Sequence, residues 1–256
     1  MAKRAAFLVI LLLALQAALA TSYPLTVKDE LGGSLTLTHA PRRIVSMIPS
    51  DTETVCALGA CGSLVLTDEY SGLAPRLRNL GLPVYAGTPQ TFEQALTFFG
   101  TLGRLLDRQA EAAVLRGRVE GQVATVAAKV AGLNEPSVFV ELDPTPYSVG
   151  PASYLGTLLA KAGGRNIVGA SMGEYPQVDP EYVVKQDPEV VLLMDAPYGE
   201  SVAKAEARPG WSTLRAVEDG RVLALDRQQV DMLSRAGPRM GDAVVLLARL
   251  LHPGHF

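Results

Sequence analysis

Tyrosines and a few charged side chains in predicted loops are the residues of this sequence that suit ligand binding. Tyr70, Tyr147 and Tyr175 lie in loops next to apolar, strand-like segments, and a later segment adds Asp231 and Arg235. Aromatic faces combined with a few hydrogen-bonding groups suit a large, flat, partly apolar ligand. Any single tyrosine is equally consistent with ordinary packing. The agreement of several loops therefore carries the prediction of a binding site.

The stretch MIPSDTETV predicts the start of a helix directly after a strand. Ser50 stands three residues before Glu53, which is the spacing of a capping box. In open parallel sheets, ligands bind beyond the carboxyl ends of the strands, where such strand-to-helix loops lie. Ser50 is therefore predicted to be a helix cap and is a candidate ligand contact. Most capping boxes have a structural role alone, and that alternative stays open.

Sequence patterns of several enzyme and metal-site classes are missing. The chain contains no P-loop, HExxH or CxxC pattern, and its three histidines lie near the two ends of the predicted mature chain. A site built from several histidines is therefore not expected. Asp226 and Asp231 could form an acid–base pair, which leaves a periplasmic hydrolase as a hypothesis from a different class. We otherwise expect a binding protein without catalytic residues, resident metal or catalytic cofactor.

Residues 1–20, MAKRAAFLVILLLALQAALA, have the pattern of a cleaved signal peptide. Two basic residues precede an apolar run that ends in Ala18-Leu19-Ala20, the small-x-small pattern that signal peptidase requires. A membrane anchor is the alternative, but the run is shorter than the roughly 20 residues that a spanning helix needs. We therefore expect an exported, periplasmic protein that begins at Thr21.

Composition limits the class of protein and its partners. A hydrophobic content of 48% predicts a globular chain, and a net charge of -3 with scattered basic residues argues against a nucleic-acid partner. Cys56 and Cys61 could form a disulfide in an oxidising compartment or remain two small buried thiols. Both states are left open by the sequence.

Alternating strands and helices predict an α/β fold. A hairpin is predicted over Tyr23–Leu37, followed by strands at Ile44–Ile48, Leu64–Thr67, Pro83–Ala86, Val138–Leu142, Val190–Met194 and Val222–Leu225. Short connections between strands and helices are typical of parallel sheets covered by helices. The predicted domains are a signal peptide at 1–20, a shortened N-terminal lobe at 21–106, a linking backbone helix at 107–133 and a C-terminal lobe at 134–256.

Several segments together resemble one protein family. They are PRRIVSMIPSDTETVCALGA, TDEYS, FEQALTFFGTLGRLL, VFVELDPTPYSVGPASYLGTLLAKAGGRNIV, YPQVDPEYVVKQDPEVVLLMD, PGWSTLRAVEDGRVLALD and SRAGPR. In this order they are similar to the helical-backbone periplasmic solute-binding proteins of ABC importers for cobalamin, haem and ferric siderophores. The cobalamin-binding branch is the most similar.

The resemblance implies a fold, a ligand and a partner. It implies two α/β lobes joined by one long helix, with a corrinoid captured in the cleft between them and delivered to a membrane permease and its ATPase. The residues that match the family's cleft positions are Tyr70, Tyr147, Tyr175, Asp231 and Arg235. Haem or a ferric siderophore is the alternative ligand, with Tyr70 or Tyr147 reaching the iron. We expect a monomer.

The resemblance also implies a docking residue and a departure from the family pattern. Glu181 matches the acidic residue by which the second lobe docks onto arginines of the permease. The sequence passes from Ser71 directly to GLAPRLRNLGLPVYAG, without the helix–strand unit that the family usually has there. The first lobe is therefore expected to lack one such unit, together with its docking residue.

Overall fold

The computed structural model describes residues 20–67 and 73–256. The chain divides into two compact units, each considered by itself below. The first unit comprises the described part of Met1–Pro89 with Glu93–Arg118, and the second comprises Gln90–Phe92 with Val119–Phe256. Residues 1–19 of the predicted signal peptide lie outside the described part, and the predicted lobe boundaries stay a prediction. No helix of the described ranges is long and apolar enough to cross a membrane.

The first unit begins with the predicted hairpin. Strands β1 (Leu25–Lys28) and β2 (Ser34–Leu37) pair antiparallel. The carboxylate of Asp29 accepts hydrogen bonds from the backbone N–H groups of Leu31 and Gly33, at 3.1 and 2.8 Å. These bonds close the turn, because an aspartate side chain that bonds its own following backbone stabilises a tight reversal.

A short parallel sheet follows the hairpin. Strand β3 (Ile44–Ser46) pairs with β4 (Leu64–Thr67), and helices α1 (Pro49–Ala57) and α2 (Ala74–Asn79) flank β4 in the chain. A disulfide joins Cys56 to Cys61, which decides between the two states left open by the sequence.

The strand predicted at Pro83–Ala86 is wrong. These residues form no regular element, although the carbonyl of Ala86 accepts a hydrogen bond from the N–H of Glu30 at 3.1 Å. The N–H of Ala86 also donates to the Asp29 carboxylate at 3.3 Å, so this segment bonds to the hairpin turn. Pro83 has no N–H to donate to a neighbouring strand. The parallel sheet of the first unit thus has two strands among the described residues, and the shortening of this lobe stays a prediction.

Two helices with no strand between them occupy the middle of the chain. They are α3 (Phe92–Leu106) and α4 (Gln109–Val130). The predicted long helix within 107–133 is present, and its 22 residues span about 33 Å at 1.5 Å per residue. Asp107 separates the two helices in a left-handed conformation, with φ of 56°.

The second unit contains a four-stranded parallel sheet. Its strands are β5 (Ser137–Glu141), β6 (Arg165–Asn166), β7 (Val190–Leu193) and β8 (Val222–Ala224), in the spatial order β6-β5-β7-β8. Its helices are α5 (Tyr154–Lys161), α6 (Pro180–Gln186), α7 (Val202–Glu206), α8 (Arg215–Glu218), α9 (Arg227–Ser234) and α10 (Met240–Leu251). Every residue of β5 and β7 is buried, as expected for a parallel sheet covered on both faces.

The core of the second unit packs around aromatic residues. Trp211 is 1% exposed and meets the ring of Phe139 edge-on, with ring centroids 6.1 Å apart. This contact fixes the segment between α7 and α8 against the central strand β5. Trp211 is therefore a packing residue of this core.

Candidate functional site

The carboxyl edge of the four-stranded sheet collects the loops of the second unit. Because all four strands are parallel, the segments that follow β5, β6, β7 and β8 leave the sheet at the same edge. Tyr147 follows β5, Tyr175 follows β6, and Asp231 and Arg235 follow β8. Four of the predicted site residues thus belong to segments that start at one edge.

The backbones around Tyr147 and Tyr175 are hydrogen-bonded to each other. The N–H of Ser148 donates to the carbonyl of Pro176 at 3.0 Å, and the N–H of Gly150 donates to that of Glu174 at 2.7 Å. Tyr147 is 43% exposed and Tyr175 is 54% exposed. Two half-exposed aromatic side chains therefore stand on neighbouring, mutually bonded loops.

Hydrogen bonds from two side chains anchor the loop after β5 to the sheet. The Ser148 hydroxyl donates to the carbonyl of Val140 at 2.6 Å, and the amide of Asn166 donates to that of Val149 at 2.8 Å. A Cβ at Gly150 would lie 1.9 Å from the carbonyl oxygen of Gly173, so this close approach of the two loops requires glycine. The loops are thus held by the fold before any ligand arrives.

Helix α5 begins where this loop ends. Ser153 is its N-cap, with the hydroxyl oxygen accepting from the N–H of Gly156 at 3.0 Å. The Tyr154 hydroxyl donates to the carbonyl of Arg235 at 3.0 Å. Sequence reasoning missed Tyr154, which joins the loop after β5 to the end of α9. An aromatic residue directly after a serine was the only local signal for it.

Asp231 lies on a helix that was not predicted, and Arg235 is the C-cap residue of that helix. No helix was predicted for the segment QQVDMLS, but it is part of α9, with Asp226 as N-cap in a capping box with Gln229. The Asp-x-x-Gln spacing is present in the sequence and could have predicted the start of this helix. The helix places Asp231 and Arg235 one turn apart, so their side chains form an ion pair with an N–O distance of 3.1 Å.

Two candidate residues of the first unit have different outcomes. Tyr70 lies outside the described residues. Ser50 is not the cap that the sequence predicted, because Pro49 occupies the first helical turn and the N-cap is Ile48, which makes no side-chain cap bond. The Ser50 hydroxyl instead donates to the carboxylate of Asp51 at 3.5 Å. A role of Ser50 in binding stays a prediction.

The proposed docking residue is exposed. Glu181 lies in the first turn of α6, and its N–H donates to the Asp179 carboxylate, which caps that helix, at 2.9 Å. Two acidic residues at a helix N-terminus are stabilised by the helix dipole. The position leaves the Glu181 carboxylate on the surface, and its role in docking stays a prediction.

The groups that would suit hydrolysis have structural partners instead. Asp226 caps α9 and Asp231 pairs with Arg235. The segment GASMG at 169–173 matches the Gly-x-Ser-x-Gly spacing of serine hydrolases, a match that the sequence reasoning overlooked. Ser171, however, lies in a one-turn 3₁₀ helix at Ala170–Met172 and not in the strand-to-helix elbow that such a nucleophile occupies.

The first unit has an open cavity of about 690 Å³. It is lined by His39, Ala40, Pro41, Arg42, Ala60, Ser63, Leu106, Asp107 and Arg108. None of these residues was predicted to bind a ligand. The cavity and the predicted site residues are thus separate features of the chain.

Comparisons with known proteins assign the chain to a family. The model of the family described as periplasmic binding protein matches residues 63–229, which is more than half of the chain. An uncharacterized ABC transporter substrate-binding lipoprotein of Bacillus subtilis is 25% identical, over 91% of this chain and 87% of the relative. A cobalamin-binding protein of Halobacterium salinarum is also 25% identical, over 91% and 75%.

A solved structure supports the same fold. The molybdate periplasmic binding protein of Haemophilus influenzae has a TM-score of 0.73, with 15% identity over 91% of this chain and 92% of that protein. The likeness confirms the predicted α/β fold class. The match of the family model, over more than half of the chain, shows that the chain belongs to the periplasmic binding protein family.

Proposed function

We propose that this protein captures a corrinoid of the cobalamin class and delivers it to the permease and ATPase of an ABC importer. The observation that carries the proposal is the pair of hydrogen-bonded loops that hold Tyr147 and Tyr175 half-exposed at the carboxyl edge of the sheet. The similarity to the cobalamin-binding protein of Halobacterium salinarum supports the choice of ligand. The position of the ligand between two lobes stays a prediction of the family resemblance.

The site residues suggest how a corrinoid is recognised. The flat macrocycle presents apolar area, and tyrosine rings bury such area while their hydroxyl groups stay in water. Burial and the neighbouring charge of Glu174 raise the pKa of Tyr175, so this hydroxyl stays protonated at neutral pH and can donate a hydrogen bond. The ion pair of Asp231 and Arg235 offers an acceptor and donors for amide groups at the rim of the ligand.

Substitution of the two tyrosines tests this proposal. We expect Tyr147→Ala and Tyr175→Ala each to weaken cyanocobalamin binding at least about tenfold, which corresponds to about 1.4 kcal/mol. Tyr198→Ala is a matched control, because Tyr198 is 69% exposed and follows β7 at the same edge without having been assigned to the site. Equilibrium dialysis measures the three affinities. Equal losses in all three variants would contradict the assignment of the site.

Haem or a ferric siderophore is the second candidate ligand. The favouring observation is the exposed phenol of Tyr147, because a tyrosine oxygen is a known axial ligand of haem iron. Titration with haemin separates the candidates. A ligated Soret band that disappears in Tyr147→Phe would favour haem, whereas an unchanged spectrum with tight cyanocobalamin binding supports the corrinoid.

Delivery to the permease requires a docking contact, which we assign to Glu181. The exposed carboxylate at the start of α6 can pair with an arginine of the permease. In vesicles that contain the cognate transporter, Glu181→Ala is expected to reduce uptake while the affinity for the ligand stays unchanged. The exposed Glu218 of α8 provides a control as Glu218→Ala. Unchanged uptake in Glu181→Ala would refute this role.

A further inference from the structure

Three carboxylates meet inside the second unit, at the carboxyl ends of β5 and β7. Glu141 ends β5 and is 0% exposed, Asp195 follows β7 and is 5% exposed, and the Glu200 side chain is 8% exposed. One oxygen of each lies within 4.8 Å of those of the other two. Carboxylates are rarely buried together, because each loses its hydration and repels the others.

A single arginine compensates two of these carboxylates. Arg208 donates from both terminal nitrogens to Glu141, at 2.5 and 2.7 Å, and from one of them to Glu200 at 2.9 Å. The guanidinium also lies 4.4 Å from the centre of the Trp211 ring. Arg208 is thus a fixed part of the cluster and supplies one positive charge.

Asp195 is the carboxylate that the protein leaves uncompensated. Both of its oxygens are buried without a hydrogen-bond partner. An unpartnered buried carboxylate costs free energy, so its retention next to Glu141 and Glu200 points to a positively charged group that binds there.

We propose that Glu141, Asp195 and Glu200 form a binding site for a divalent cation that prefers oxygen ligands, namely Ca²⁺. With three ionised carboxylates and Arg208, the cluster carries two unbalanced negative charges, which one divalent ion neutralises. Carboxylate oxygens are the ligands that Ca²⁺ prefers, and its Ca–O distances of about 2.4 Å give a coordination sphere about 4.8 Å wide. The spacing of the three oxygens fits within that width. The site does not depend on the identity of the transported ligand.

Terbium luminescence tests this site directly, since Tb³⁺ replaces Ca²⁺ and is excited by nearby tryptophan. Trp211 is the one tryptophan of the chain and contacts Arg208, which itself contacts two of the proposed ligands. We expect excitation of the protein to give Tb³⁺ emission that Ca²⁺ competes away. Asp195→Asn is expected to weaken Tb³⁺ binding at least about tenfold. Substitution of residues that only hydrogen-bond to metal ligands already lowers metal affinity by about this factor.

A control and a second variant complete the test. Asp219→Asn removes an exposed carboxylate of the same unit and is expected to bind Tb³⁺ as the wild type does. Glu200→Gln changes a ligand at the edge of the cluster and is expected to weaken binding if Asp195→Asn does not fold. Absence of Tb³⁺ emission in the folded wild type, or equal emission in Asp195→Asn and Asp219→Asn, would overturn the proposal.

Thermal unfolding gives a second readout. Ca²⁺ is expected to raise the Tm of the wild type in a concentration-dependent manner, because a ligand that binds only the folded state stabilises it. In EDTA, Asp195→Asn is expected to be at least as stable as the wild type, since it removes a buried negative charge, and its Tm should not respond to Ca²⁺. The same Ca²⁺ response in wild type and Asp195→Asn would place the cation elsewhere and refute this site.

Discussion

Replacement of Arg208 by leucine is expected to destabilise the second unit strongly. The guanidinium makes two hydrogen bonds to Glu141, whose side chain is 0% exposed, and a third to Glu200. Arg208→Leu fills part of the same volume but leaves a buried carboxylate without its counter-charge. The substitution therefore measures what this pair contributes to folding.

The structure sets the size of the effect. Removing one partner of a buried ion pair costs about 3–5 kcal/mol, because the remaining charge stays buried and unpaired. Loss of the contact with the Trp211 ring adds about 0.5–2 kcal/mol. At about 2–4 °C per kcal/mol for a chain of this size, the pair alone corresponds to a fall in Tm of about 6–20 °C.

Urea unfolding in EDTA, followed by far-UV circular dichroism, measures the free energy of unfolding. Arg227→Leu is the matched control, because Arg227 also lies over an aromatic ring, 5.2 Å from the centre of Tyr198, but is exposed. We expect it to cost about 0.5–1 kcal/mol. The double variant Glu141→Leu/Arg208→Leu should recover part of the loss, since it leaves no unpaired charge at position 141. Equal costs for the two single variants, or a double variant no more stable than Arg208→Leu, would refute the reasoning.

Three further substitutions test local features of the two units. Burial raises the pKa of Asp51 to about 7, so between pH 4 and 7 this carboxyl is ionised in the unfolded chain but stays protonated in the folded one, and stability falls as the pH rises. Asp51→Asn should therefore flatten the fall in stability over that range, at about 1.4 kcal/mol per pKa unit, as measured by urea unfolding at several pH values; an unchanged pH profile would contradict this. Ser153→Ala removes the cap of α5 and should lower the free energy of unfolding by about 0.5–2 kcal/mol, measured in the same assay. A change close to zero would show that another group accepts the hydrogen bond of the freed N–H. Tyr154→Phe removes the hydrogen bond to the carbonyl of Arg235 and should lower the free energy of unfolding by about 1 kcal/mol. The rate of amide hydrogen exchange at the end of α9 should increase, and an unchanged rate would argue against this connection.

The sequence was informative wherever one local pattern decided the structure. Gly32-Gly33 between two alternating segments predicted the hairpin, and the apolar runs at 138–142 and 190–194 predicted the central strands β5 and β7. Ser153 and Asp179 stand directly before their helices and cap them as their positions suggest. These features depend on backbone chemistry within a few residues.

The sequence was misleading where two local signals competed. Ser50 and Glu53 have the spacing of a capping box, but Pro49 starts the helix earlier because its fixed φ suits the first turn. The apolar run at Pro83–Ala86 predicted a strand, but these residues pair with no other strand. Which of two signals prevails depends on packing that a short window of sequence does not contain.

Long-range clusters were beyond the reach of sequence patterns. Glu141 and Arg208 are separated by 67 positions and meet only because β5 and the segment after α7 reach the same place. The same holds for Tyr154 and Arg235, which are 81 positions apart. The tyrosines of the candidate site were predicted from their positions in loops and again from the family resemblance, whereas the hydrogen bonds between the loops that hold them became visible only in the fold.

Isothermal titration of residues 21–256 with cyanocobalamin, with haemin run in parallel, tests the central claim most directly. Submicromolar binding of cyanocobalamin, with haemin at least about tenfold weaker, is the result that the proposed corrinoid function predicts. Absence of cyanocobalamin binding by a protein that is folded by circular dichroism would contradict it.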